Sequence, residues 1–161
     1  MCTICGHFAQ EEPIAATDIY DMLKKMEHRG PDMHGVYLDG AVTRHKSVEE
    51  FKSLLKQKSH IAMGHSRLGI IGSEDLSQPY TSCDGKLTLI KNGEIYNYEA
   101  LKSLLLYGHR HKTTSDSEIL VHLLEESYRG NLLKAVKRVI GIIDGMYAFA
   151  VTDGESVVLA R

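Results

Sequence analysis

Two Asp-Gly pairs constrain the fold more than any other feature of the sequence. Asp39-Gly40 lies between short apolar runs at 36–38 and 41–44, and Asp153-Gly154 lies between runs at 146–152 and 156–160. Asp-Gly supplies the positive-φ residues of a two-residue turn whose twist matches that of the strands it joins. Each pair therefore predicts a hairpin of adjacent antiparallel strands. A parallel pair would need a crossover of a dozen or more residues, and neither place leaves room for one.

The remaining elements follow from periodicity and punctuation. Alternation predicts strands over 3–9, 60–72 and 86–91, the last closed by a turn at Asn92-Gly93. Ile19, Met22, Leu23 and Met26 recur at helical spacing, so a helix capped by Thr17 or Asp18 runs to about 27 and stops at Gly30-Pro31, where the glycine supplies a left-handed turn. Ser47 caps a helix from 48 to about 56. Further helices are expected over 97–107, 116–128 and 131–139, the second opened by a capping box of Ser115 and Glu118. Leu101, Leu104, Leu105, Leu120 and Leu124 read as core positions. Strands cluster at the start, middle and end, with helices in two blocks between them. That segregation predicts α+β with antiparallel strands in layers.

Composition sets the boundaries. The 161 residues are 43% hydrophobic and 25% charged, which suits one globular domain and excludes a disordered or fibrous chain. No run approaches the roughly 18 apolar residues of a membrane span. Net charge is −2, from 19 basic and 21 acidic residues, and no basic stripe stands out, so nucleic acid is not expected as a partner. The start lacks a basic and then apolar export segment, and three cysteines cannot all pair among themselves. Reduced thiols in the cytoplasm are expected.

The chemistry begins at Cys2. Once Met1 is removed, Cys2 carries a thiol and a free α-amine on one carbon framework. That amine has a pKa near 7.7–8.0 and accepts the thiol proton at neutral pH without a histidine. Cys2 and Cys5 also spell C-x-x-C, which opens a zinc or redox reading. Zinc would need two more ligands, and Cys83, His109 and His111 are the candidates. Strand alternation puts Cys2 and Cys5 on opposite faces and weakens this reading. Cys5 then reads as a small core residue. Three polar groups stand at element ends: Arg67, the run Asn92-Gly93-Glu94, and Asp116. Together they suit an α-amino acid: a guanidinium for its carboxylate, carboxylates for its ammonium, and an amide beside a glycine N–H for an oxyanion.

These motifs resemble a known family. Met1-Cys2-Thr3-Ile4-Cys5-Gly6, His28-Arg29-Gly30-Pro31-Asp32, Gly64-His65-Ser66-Arg67-Leu68, Ser77-Gln78-Pro79, Asn92-Gly93-Glu94-Ile95-Tyr96-Asn97, Ser115-Asp116-Ser117-Glu118 and Asp144-Gly145-Met146-Tyr147-Ala148-Phe149-Ala150 follow in order over nearly the whole chain. The chain is similar to the glutaminase domain of class II glutamine amidotransferases, of the N-terminal-nucleophile hydrolase superfamily. Within that class it most resembles glutamine-hydrolysing asparagine synthetases. The resemblance implies a four-layer αββα sandwich of two antiparallel sheets between helical layers. It implies Cys2 as nucleophile, the Asn92 side chain and Gly93 N–H as oxyanion hole, and Arg67 on the glutamine carboxylate. Glu94 and Asp116 would hold its ammonium, and Leu68 and Ile70 would line the substrate.

The same resemblance implies no cofactor and no metal, glutamine as substrate, and an ammonia-accepting synthetase domain or subunit as partner. It is also compatible with a homodimer. Relatives continue beyond a point matching Leu159-Ala160-Arg161 into a synthetase domain, so residues 1–161 are expected to form one glutaminase domain without the acceptor half. Thr3 departs from the family, which has glycine there, and a side chain at that place could crowd the thiol. It leaves open a glutamine-binding module without turnover. His28, His65 and His109 read as structural, and Arg29 with Asp32 as a local ion pair in a buried structural motif.

Overall fold

The computed structural model describes residues 2–69, 77–106 and 108–161. The chain forms two compact units, Met1–Pro79 and Tyr80–Arg161, each built on a four-stranded antiparallel sheet.

The first unit contains β1 (Thr3–Phe8), β2 (Ile14–Ala15), β3 (Met33–Leu38), β4 (Ala41–His45), β5 (Lys58–Ser59) and β6 (Ile61–Arg67). Its sheet runs β1-β6-β3-β4, and β2 pairs with β5 in a separate ribbon. The Asp39-Gly40 hairpin is present, with φ of 39° and 102° at the two residues. The Asp39 carboxylate accepts the N–H groups of His60 and Ile61 at 2.9 and 2.8 Å, which offsets the strain of its positive φ. Helix α1 (Thr17–Met26) lays Ile19 and Leu23 onto a core with Val36, Phe51 and Ala62.

Three expectations for this unit are corrected. The residue before α1 is Ala16, fully buried and without a side-chain cap, so Thr17 and Asp18 fall inside the first turn. A core position there leaves no place for a polar cap. Gly30 is extended rather than left-handed, with φ of −152°. What requires glycine is space: a Cβ would lie 2.5 Å from the Ser66 carbonyl oxygen and 2.9 Å from the Arg67 carbonyl carbon. The segment after Ser47 is a 3-10 helix, Val48–Leu54, entered through a capping box with Glu50. Val48, Phe51 and Leu54, all packed on the core, are three residues apart, and only a three-residue turn stacks them on one side.

The second unit contains β7 (Tyr80–Thr81), β8 (Thr88–Ile95), β9 (Gly145–Thr152) and β10 (Val157–Ala160), in the order β10-β9-β8-β7. Its helices are α2 (Tyr98–Lys102), α3 (Asp116–Ser127) and α4 (Leu132–Ile140). In α3, every residue from Ser117 to Leu124 is buried; α4 is amphipathic and buries Leu132, Ala135, Val136 and Val139. Ile119, Leu120, Leu124, Leu132, Val136 and Val139 pack with Leu89, Phe149 and Val151 from the strands and with Leu87 just before β8.

Here too the structure differs from the pattern. Asn92-Gly93 is not a turn, because β8 runs through it and pairs with β9 from Thr88↔Thr152 to Ile95↔Gly145. Gly93 has φ of 117°, and a Cβ on it would lie 2.0 Å from the Met146 carbonyl oxygen. The last hairpin closes with residues 153–156, since Thr152 pairs with Val157. The Asp153 carboxylate accepts from the N–H groups of Glu155 and Ser156, so a side chain closes the loop in place of a two-residue turn. Helix α2 ends at Lys102 in 3-10 bonds, which leaves Leu104 60% exposed, while Leu101 stays in the core. Only half of the capping box at α3 forms. Ser115 accepts from Ser117 N–H, while Glu118 turns to the preceding loop and takes the N–H groups of Lys112 and Thr113, both at 2.7 Å.

Two buried histidines carry a pH dependence. His34 Nδ1 lies 2.9 Å from Ser66 Oγ, and His7 Nε2 lies 3.1 Å from Ser59 Oγ. Burial holds both imidazoles below their ordinary range. The neutral rings therefore stabilise the fold above the unfolded value of about 6.5, and that stability is lost as pH falls through the lower folded values. The urea midpoint is expected to drop between pH 7.5 and 5, by at most about 1.4 kcal/mol per pH unit for each ring. A flat profile there would contradict this account. His34→Gln should reduce the slope.

Candidate active site

Four of the expected site residues, Cys2, Arg67, Leu68 and Ile70, belong to the first unit. Antiparallel β1 and β6 end their ladder at Thr3 paired with Ser66, so Cys2, directly before β1, and Arg67, the last residue of β6, both flank that last pair. Cys2 and Arg67 are both half-buried. On its other side Arg67 pairs with Met33 of β3. Thr3, the first residue of β1, is 5% exposed. Leu68 is exposed, and Ile70 lies outside the described residues.

The His28–Asp32 motif explains how Arg67 is held. Asp32 N–H donates to the Arg67 carbonyl at 3.0 Å, and its carboxylate accepts from Gly69 N–H at 2.5 Å. Gly30 lies flat against Ser66 and Arg67. The motif is thus a backbone clamp on the end of β6. Arg29 and Asp32 are both exposed, which corrects the expectation of a buried motif, and the Asp32 carboxylate serves the Gly69 amide. The Ser77-Gln78-Pro79 segment is held by Arg44, whose guanidinium donates to the Ser77 carbonyl at 3.0 Å and to that of Pro79.

The C-x-x-C reading loses its second member. Cys5 Sγ faces the Gly64 carbonyl at 3.7 Å beside the first core, and burial pushes its thiol up to about 12. A thiol that stays protonated is a poor metal ligand and a poor redox partner.

Asn92, Gly93, Glu94 and Asp116 belong to the second unit and are brought together there. The first three follow one another along β8, with Asn92 half-buried and Gly93 and Glu94 exposed. Asp116 opens α3, and its Oδ2 accepts from Ile95 N–H at 2.8 Å. The same oxygen takes the Lys91 ammonium at 2.5 Å, and that ammonium also donates to the Gly93 carbonyl at 2.8 Å. Sequence reasoning missed Lys91. The one available signal was a lysine within an otherwise apolar strand, directly before Asn92. Its side chain is 1% exposed, so its charge must be paired. It ties the Asn92–Glu94 segment to Asp116.

Two motifs that looked independent are partners. Asn97 Nδ2 donates to the Ile142 carbonyl, its Oδ1 accepts from Asp144 N–H, both at 2.9 Å, and Tyr96 N–H donates to the Asp144 carbonyl at 2.7 Å. The end of β8 is thereby stitched to the start of β9.

Comparison with known proteins agrees with this geometry. Residues 43–161 match the family described as the glutamine amidotransferase domain, a stretch that runs through both units. The chain belongs to that family. Among its relatives, a provisionally named asparagine synthetase (glutamine-hydrolyzing) 1 of Methanocaldococcus jannaschii is 35% identical over 154 residues, 95% of this chain and 26% of the relative. A glutamine–fructose-6-phosphate aminotransferase (isomerizing) of Thermus thermophilus is 34% identical over 175 residues, 100% of this chain and 28% of the relative. Among solved structures, the glutamine phosphoribosylpyrophosphate amidotransferase of B. subtilis matches with a TM-score of 0.80 at 28% identity, over 99% of this chain and 37% of that one. The fold is therefore the N-terminal-nucleophile amidotransferase fold that the motifs implied. The chain spans roughly a quarter of the length of these curated relatives.

Lys91→Met should leave the Asp116 carboxylate without its cation. Because Asp116 is 21% exposed, the loss is expected at about 2–3 kcal/mol, below the range for a fully buried pair. Urea unfolding of Lys91→Met, Asp116→Leu and the double variant gives the coupling. A coupling near zero would show that the pair contributes nothing.

Proposed function

We propose that this chain hydrolyses the side-chain amide of glutamine and that all 161 residues act as a single glutaminase domain. The observation that supports this is the β1–β6 ladder, which ends at Thr3 and Ser66, directly beside Cys2 and Arg67, in a chain of the glutamine amidotransferase family. With Met1 removed, the Cys2 α-amine takes the thiol proton, and the thiolate attacks the amide carbon. The oxyanion so formed is held by the Asn92 side chain and Gly93 N–H, each donor contributing about 2.7–4 kcal/mol. The ammonium of Cys2 returns the proton to the leaving nitrogen, and ammonia departs from a thioester. Water then attacks the thioester, the amine again taking a proton, and glutamate leaves with the thiol restored.

Arg67 forks onto the glutamine α-carboxylate, Glu94 and Asp116 hold its α-ammonium, and Leu68 and Ile70 line the substrate. No metal or cofactor takes part in these steps. Lys91 positions Asp116 and shares its charge, so Glu94 carries much of the ammonium recognition.

Cys2→Ala is expected to abolish glutamate formation from glutamine while glutamine binding persists. An uncleavable N-terminal extension should act likewise, because it acylates the base. Wild-type turnover in either protein would overturn the nucleophile and base assignments. Intact mass, read alongside, establishes that the active form starts at Cys2.

The ammonia acceptor in this reading is an asparagine-synthetase-like domain or subunit in the cytoplasm, with aspartate as substrate. The Methanocaldococcus relative and the His28–Asp32 motif support it. No described helix is long and apolar enough to cross a membrane. Assayed with its acceptor part, glutamine, ATP and aspartate, the protein should form asparagine. Formation of an amino sugar from fructose 6-phosphate instead would overturn this acceptor.

A further inference from the structure

A second cluster of reactive side chains lies in the second unit, on residues the proposed glutaminase chemistry does not use. Cys83 sits in the turn between β7 and β8, His109 in the stretch before α3, and His122 and Glu125 on α3 itself. Their donor atoms all lie within 4.8 Å of one another. Cys83 Sγ is 3.6 Å from His109 Nδ1 and 3.7 Å from His122 Nδ1. Glu125 Oε2 is 3.3 Å from each of the same two nitrogens. A tetrahedron drawn with ordinary zinc–sulfur, zinc–nitrogen and zinc–oxygen bonds has edges of about 3.3–3.6 Å. These four edges agree with it, and the remaining two pairs lie within 4.8 Å.

We propose that Cys83, His109, His122 and Glu125 form a structural zinc site that fastens the β7–β8 turn and the stretch before α3 to α3. Three further observations support it. His109 Nε2 is 2.9 Å from Glu126 Oε1, the carboxylate–histidine contact that fixes the proton on the outer nitrogen of a metal-bound imidazole. With that proton in place, a neutral ring presents a lone pair at Nδ1 to the Glu125 carboxylate and the Cys83 sulfur. A cation turns this repulsion into bonding. Second, the Glu125 carboxylate is held in position by the N–H groups of Cys83 and Asp84, both at 3.0 Å. Third, the rings of His109 and His122 stack at 4.4 Å, with both side chains under 5% exposed, so the donors are already assembled. A thiolate and a carboxylate balance the two charges of zinc. Four protein ligands close the coordination shell, which marks a structural centre.

The Cys2–Cys5 zinc reading had enlisted Cys83 and His109 as helpers. Their partners are His122 and Glu125 of their own unit. The sequence hides the set because its members are 26, 13 and 3 residues apart in a pattern that matches no common zinc spacing.

The test uses the full chain, stripped with a chelator and titrated with Zn²⁺ and with Co²⁺. Wild type is expected to bind one equivalent of zinc and to unfold at a higher temperature with zinc than without. Its Co²⁺ form should show the visible bands of four-coordinate cobalt and a thiolate-to-cobalt charge-transfer band. Cys83→Ser, at an exposed position, should lose the charge-transfer band and bind zinc at least tenfold more weakly. Glu126→Gln should keep the band and weaken zinc by about 10–100-fold. Cys5→Ala should change neither. Stoichiometric zinc lost in Cys5→Ala but kept in Cys83→Ser would overturn the assignment, as would a folded wild type that binds no zinc. Glutaminase activity is a separate readout, so its absence beside intact zinc binding would bear only on the proposed function.

Discussion

In each unit, the strand that carries site residues is held by backbone packed on backbone with no side chain between. Gly30 lies against the carbonyl groups of Ser66 and Arg67, and Asp32 adds two hydrogen bonds to the same strand end. On β8, Gly93 faces the Met146 carbonyl, and Gly145 faces that of Glu94 at 2.2 Å from where a Cβ would sit. Contacts this close leave little slack. Arg67 and the Asn92–Glu94 segment are therefore carried on rigid elements, the setting that the proposed glutaminase chemistry calls for.

Charge is arranged with equal economy in the second unit. The fully buried Lys91 joins the Gly93 carbonyl to Asp116, and Asp116 in turn receives Ile95 N–H. Glu118, also buried, receives two N–H groups and the Thr113 hydroxyl from the loop before α3. Helix α3 is buried on most of its circumference, so polar groups on it need partners in the protein. One end of the helix serves the candidate active site. The other holds His122, Glu125 and Glu126, where the proposed zinc centre would sit.

Much of the fold was legible in the sequence, and the errors have physical causes. The amphipathic stripes of α1 and α4 and the Asp39-Gly40 turn follow from local periodicity and local conformation. Asn92-Gly93 misled because the pair favours a turn only where the chain is free to reverse. Here eight residues of pairing with β9 outweigh it, and glycine is needed for close approach. Ser115 and Glu118 carry a capping signature, yet the loop at Lys112 and Thr113 offers Glu118 two donors in place of one. Of the candidate site, Cys2, Arg67, Asn92 and Asp116 were proposed from residue type, although Asn92 proves to lie within β8 and not at its end. Lys91 was not, because its role depends on a partner 25 residues away.

By itself the sequence determined the antiparallel α+β class, the order of the longer strands and helices and the family, since turn chemistry, periodicity and ordered motifs are all local. Tertiary structure decided which motifs meet. It brought the start of β1, beside Cys2, to the end of β6 that carries Arg67. It joined Asn97 to Asp144, and it gathered Cys83, His109, His122 and Glu125 from three separate segments. Such meetings are settled by strand register and by the pairing that buried charges and backbone groups require, and neither is written in any short stretch of chain.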